Sequence, residues 1–103
     1  MGLQELETRE VAAFCRRWEV RELAVFGSVL RGDFRPDSDI DFLVTFEADA
    51  NWGLLKQSTM EAELTALLRR KVDLVSRRAI EQSANWIRRQ AILESAETVH
   101  VAR

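Results

Sequence analysis

The chain has 103 residues, 47% hydrophobic and 31% charged, with four Gly and one Pro. That balance fits one compact globular domain over residues 1–103 and excludes a disordered, fibrous or two-domain chain. A formal charge of −2, from 15 Lys and Arg against 17 Asp and Glu, lacks the basic footprint of a non-specific nucleic-acid binder, so no direct nucleic-acid contact is expected.

No apolar run approaches the ~18 residues that a membrane span needs. Met1–Glu10 carries acidic residues and no apolar h-region, so it is not read as a signal peptide, and the cytoplasm is the expected location. Cys15 and His100 stand alone in their residue types, which excludes an internal disulfide and a zinc site built on Cys/His pairs.

In chain order, Val11, Phe14, Cys15 and Trp18 recur at i, i+3, i+4 and i+7, with Leu3 and Leu6 ahead of them. This spacing predicts a first helix ending near Trp18 to Val20, with Cys15 as a buried core thiol. Leu23–Phe26 is a short apolar run stopping at Gly27-Ser28 and reads as a buried strand. Ser28 is suited to cap a short helix through about Gly32, and Asp33–Ser38, with Pro36 and Asp37, reads as a turn.

Asp39–Phe46 is rich in β-branched and aromatic residues and predicts a strand. Glu47–Gly53 is a polar connection carrying Trp52. Leu54–Arg70 reads as a helix on the spacing of Met60, Leu64, Leu67 and Leu68, and Lys71–Ser76 as a third strand. Arg77 to about Ala96 predicts one or two helices with Ile80, Ala84, Ile87 and Ala91 on a common face, before a short strand at Thr98–Val101. The alternation of elements predicts an α/β (α+β) fold with a small sheet.

The chemistry concentrates between Gly27 and Asp41. On a strand, Asp39 and Asp41 point to one face while Ile40, Phe42 and Val44 point to the other. Two adjacent carboxylates disfavour each other's ionisation, and a hard dication relieves that repulsion. Asp73 is a charge inside the apolar run Val72–Val75 and becomes a third carboxylate if its strand lies beside that of Asp39. Three carboxylates can hold two metal ions of the kind that clamp an in-line phosphoryl displacement.

Gly27-Ser28, between a strand and a helix start, offers backbone amides and a hydroxyl to an anion. Each piece has a plainer reading taken alone. Asp39 and Asp41 could be solvated charges, Asp73 an edge-strand charge that blocks aggregation, Gly27-Ser28 an ordinary helix start, and Ser38 to Asp41 a capping box. Walker-type and dinucleotide-type glycine patterns are absent.

The combination Gly27-Ser28, ten residues, then Asp39-Ile40-Asp41 resembles the signature of the minimal nucleotidyltransferases of the DNA polymerase β-like superfamily. Arg31-Gly32 and Pro36-Asp37-Ser38 resemble that family's intervening elements, and the likeness runs from about Leu23 to Val75. The resemblance implies a nucleotidyltransferase fold, a small mixed sheet flanked by helices. It implies Asp39, Asp41 and Asp73 as catalytic ligands of Mg²⁺, two ions in the full site, with Asp73 also a candidate base. Gly27 and Ser28 would hold the triphosphate, and Arg31 would assist with phosphate or loop closure.

Relatives of this size are often antitoxins paired with a helical HEPN-type ribonuclease toxin, in a hetero-oligomer. The implied activity is transfer of AMP from ATP to a tyrosine hydroxyl of that toxin. Two alternatives stand beside it. One is an antitoxin acting by complex formation alone, for which Trp52, Trp86 and Ile87 are candidate anchors if they are not core residues. The other is a small-molecule nucleotidyltransferase, which the absence of an acceptor-binding segment disfavours.

Overall fold

The computed structural model describes residues 6–27, 39–48 and 54–102. Thr8 caps α1 (Arg9–Arg17), its hydroxyl accepting from the Val11 amide at 3.2 Å, and the helix buries Val11, Phe14 and Cys15. Trp18 closes the helix, Glu19 turns the chain with a φ of 56°, and β1 (Val20–Phe26) follows at once. The strand therefore starts three residues earlier than the apolar run suggests, because Arg21 and Glu22 belong to it as partly solvated positions.

Among the described residues β2 (Ile40–Phe46), α2 (Leu54–Leu68), β3 (Val72–Ser76), α3 (Arg77–Glu81), α4 (Trp86–Ser95) and β4 (Glu97–Val101) follow. The helix expected after Ser28 and the turn over 33–38 lie outside the described residues.

The four strands form one mixed sheet in the order β3-β2-β1-β4. β1 runs antiparallel to β2 and to β4, while β2 and β3 are parallel, joined by the crossover that contains α2. The mixed sheet flanked by helices matches the expected fold class.

Alternation along the strands divides the core in two. Val25, Ile40, Phe42, Val44, Val72 and Leu74 face α1 and α2, where Phe14, Met60 and Leu64 close the larger cluster. Ala24, Phe26 and Leu43 face the other way and meet Ile80 of α3 and Ile92 of α4. Among the described residues, no helix is long and apolar enough to cross a membrane.

The two helices on the larger face are tied together at Glu63 of α2. The Arg17 guanidinium and the Trp18 indole N–H, the latter at 2.6 Å, both donate to its carboxylate. The bond from Arg17 holds the Glu63 carboxyl below its ordinary 4.5, aided by Trp18 and opposed by burial. A lowered folded-state value means stability that is present in full above the unfolded-state value and lost as pH falls through the folded one. Glu63→Gln should therefore lower the urea midpoint at about pH 7, and its gap to the parent should narrow towards about pH 3. A gap that stays constant across that range would mean the carboxylate charge contributes nothing.

Of the one or two helices expected from Arg77 to about Ala96, two are present, Arg77–Glu81 and Trp86–Ser95, and the expected common face fails. Asn85 caps α4 by accepting from the Arg88 amide at 3.1 Å, so a new helix starts with its own phase. Ile80 and Ile92 reach the core, while Ile87 is 65% exposed, Trp86 60% exposed, and Ala84 and Ala91 are exposed as well. Trp86 and Ile87 are therefore not core residues, which leaves both as candidate anchors; Trp52 lies outside the described residues.

Candidate active site

The strand pattern expected around Asp39 and Asp41 is present, and the face they share can be followed along β2. Asp39, Asp41 and Leu43 alternate with the buried Ile40, Phe42 and Val44. Leu43 sits in the smaller core cluster, whereas Asp39 and Asp41 are half-buried where that cluster gives out. The Ile40 amide donates to the Lys71 carbonyl at 2.9 Å, which starts the parallel ladder with β3 and brings Asp41 into register with Asp73. Two carboxylates thus leave neighbouring strands on the same face, with backbones about 4.8 Å apart. The expectation that the Asp73 strand lies beside the Asp39 strand is met.

On the other side of β2, Asp41 pairs with Phe26, the residue before Gly27. Gly27 has a φ of +81°, a conformation that side chains other than glycine's rarely adopt. A Cβ built there would stand 2.5 Å from Asp41 Oδ2, so the carboxylate lies directly against the glycine α-carbon. Gly27 is therefore required twice, by its backbone conformation and by the close approach of Asp41. Ser28 and Arg31, the other two expected anion contacts, lie outside the described residues.

Lys71 Nζ is 3.9 Å from Asp39 Oδ2, with the Lys71 side chain well exposed and that of Asp39 partly so, a loose pair of small energetic weight. Among the described residues, no three acidic, imidazole or thiol side chains converge closely enough to share a metal ion. What the backbone supplies is an array of Asp39, Asp41 and Asp73 on one face. That donor set is all oxygen and anionic, the kind a hard divalent cation takes.

A cleft of about 270 Å³ opens on this face, with Phe26, Gly27 and Asp41 on the sheet side and Arg88, Ala91, Ile92 and Ser95 of α4 opposite. Arg88 was not among the expected site residues. The spacing of Arg88, Ala91 and Ser95 at i, i+3 and i+7 becomes visible as a face only once the helix start is set at Asn85.

A larger cavity, about 500 Å³, lies at the far end of β1, lined by Cys15, Arg16, Glu19, Glu47 and His100 among others. It offers no activated group. Burial pushes the Cys15 thiol up to about 12, against the opposing charge of Arg16, and burial, helped by Arg16, holds His100 below its ordinary value. The carboxylate face is the better candidate.

The sequence profile of the nucleotidyltransferase domain matches residues 9–99. The protein adenylyltransferase MntA of Thermococcus cleftensis is 40% identical over 84 residues, which span 79% of this chain and 83% of that relative. A crystal structure of a toxin–antitoxin with AMP-PNP aligns with a TM-score of 0.70 at 23% identity, covering 91% of this chain and 73% of that one. A tri-AMPylated Shewanella oneidensis HEPN toxin in complex with MNT antitoxin aligns with a TM-score of 0.66 at 22% identity, covering 97% and 73%. At these identities the two structures carry the fold alone.

Proposed function

This chain belongs to the nucleotidyltransferase domain family, and we propose that it acts as a single-domain antitoxin that transfers AMP from ATP to a tyrosine hydroxyl of a HEPN-type toxin. The observation that carries the site is the register of Asp41 with Asp73 beside the tight contact of Asp41 on Gly27. The 40% identity to a protein adenylyltransferase supports a protein acceptor.

In this reading Asp39, Asp41 and Asp73 hold Mg²⁺. The chemistry that Mg²⁺ supplies when bound, as two ions, is neutralisation of charge on the triphosphate and on the leaving pyrophosphate. Gly27 and Ser28 hold the triphosphate through backbone amides and the Ser28 hydroxyl, and Arg31 assists them. Arg88, across the cleft from Asp41, adds a guanidinium suited to phosphate oxygens.

The acceptor hydroxyl attacks the α-phosphorus, its proton passes to Asp73, and the bond from the α-phosphorus to the bridging oxygen breaks as pyrophosphate leaves. Orientation and charge stabilisation supply most of the rate. ATP as donor agrees with a cytoplasmic location.

The test is label transfer from α-labelled ATP, with Mg²⁺, to the protein encoded by the adjacent gene, the expected place of the toxin, with Asp39→Asn as control. Label on the toxin that disappears in the control is the expected result. An intact complex that takes no label from any of the four nucleoside triphosphates sinks the catalytic reading. It would favour neutralisation by binding alone, a second reading that the exposure of Trp86 and Ile87 supports.

A further inference from the structure

β3 carries Asp73 and is also the last strand on its side of the sheet. An edge strand leaves its outward peptide groups without a strand partner. Here one row of α2 takes them. Thr65 Oγ1 accepts from the Val72 amide at 3.2 Å, Glu61 Oε2 accepts from the Leu74 amide at 2.7 Å, and Gln57 Nε2 donates to the Leu74 carbonyl at 2.7 Å.

Gln57, Glu61 and Thr65 are spaced four residues apart, so they line one strip of the helix. The apolar packing of α2 on the sheet is made by Met60 and Leu64, each one residue earlier, and does not need this polar strip. The strip acts as a surrogate strand built of side chains.

Its placement relative to Asp73 is specific. Successive peptide groups of a strand alternate in direction, so residues 72 and 74 bond outward while residue 73 lies against β2. The helix therefore grips the two residues that flank Asp73, and β2 holds Asp73 itself in register with Asp41.

We propose that Glu61, with Gln57 and Thr65 beside it, is a positioning residue for the Asp73 carboxylate, fixing the pleat of β3 so that Asp73 stands on the Asp41 face. This rests on the reading of Asp73 as part of the carboxylate site. Glu61 touches no substrate in this scheme; it acts through the Leu74 amide. Gln at 61 keeps an acceptor oxygen at the same reach, whereas Leu fills similar space with none.

The experiment measures Mn²⁺ affinity in the presence of a non-hydrolysable ATP analogue, by electron paramagnetic resonance, together with hydrogen exchange of the Leu74 amide. The full chain is compared with Glu61→Leu, Glu61→Gln and Asp73→Asn. A folded Glu61→Leu should lose about tenfold in Mn²⁺ affinity and exchange the Leu74 amide faster, the range seen when a group that orients a metal ligand is removed. Glu61→Gln should restore both, which a loss of general stability would not explain.

A folded Glu61→Leu with parental Mn²⁺ affinity overturns the proposal. If Glu61→Leu does not fold, Thr65→Val is decisive instead, with a smaller loss in the same direction expected and parental affinity overturning it. Asp73→Asn with parental affinity would instead overturn the site reading beneath the proposal, so the two failures are distinguishable.

Discussion

Asp41→Asn is expected to abolish nucleotide transfer, by at least about a thousandfold, and to leave the protein as stable as the parent or slightly more so. The activity loss follows from removing one anionic ligand while keeping the shape of the side chain. Several kcal/mol of charge stabilisation would depend on the cation that the carboxylates are proposed to hold, and about 4 kcal/mol corresponds to three powers of ten. The stability gain has a separate cause. Asp41 and Asp73 are register partners on the same face, and like charges set opposite each other in a sheet cost roughly 0.2–1 kcal/mol.

Opposite signs on activity and stability are what a charge kept for function rather than for folding should give. The check is a pair of measurements on one variant, initial transfer rate and urea midpoint. Retained transfer would remove Asp41 from the ligand set. A large drop in stability would mean its charge serves the fold.

Gly27→Ala should fail in both measurements. Alanine at a φ of +81° is strained by about 1–2 kcal/mol, and that strain does not depend on any neighbour. The new methyl would also stand 2.5 Å from Asp41 Oδ2. The carboxylate is the free end of a side chain, so it can swing aside and avoid most of the steric cost. The displaced carboxylate then no longer occupies its working position, and a misplacement of about 1 Å is enough for roughly a hundredfold loss in rate.

The expected signature is a melting temperature lowered by several degrees together with that rate loss. In the double variant Gly27→Ala, Asp41→Asn the rate losses should not multiply, because both act on the same group. Full additivity would mean that Gly27 acts on the nucleotide alone and not through Asp41.

Much of this site is legible in the sequence because its parts obey the shortest of periodicities. Asp39 and Asp41 interrupt a β-branched and aromatic run at every second residue, and Asp73 interrupts an apolar run outright. Both patterns survive without any knowledge of neighbouring strands. The parallel pairing that brings Asp73 to Asp41 is a long-range fact and enters only through the crossover.

The contact between Gly27 and Asp41 is equally long-range; the glycine shows in the sequence, but what presses on it does not. Gln57, Glu61 and Thr65 look like an ordinary solvated helix face, since polar side chains at helical spacing are the rule on surfaces. The face of α4 was misassigned because the break at 82–85 resets the helical phase. A pattern running from Ile80 through Ala84 and Ile87 to Ala91 joins residues that two separate helices point in different directions.

The unequal division of the core has a consequence for how an acceptor gains entry. α1 and α2 are anchored by the larger cluster and by the Glu63 tie, whereas α3 and α4 hold to the sheet through Ile80, Ile92 and a few half-buried neighbours. A segment with few buried apolar contacts detaches at a free energy well below that of global unfolding. Among the described residues, the wall of the cleft that carries Arg88 is thus expected to open at a lower free energy than the sheet. An acceptor that is to reach Asp41 would then work against a sub-global opening, with the sheet beneath it left assembled.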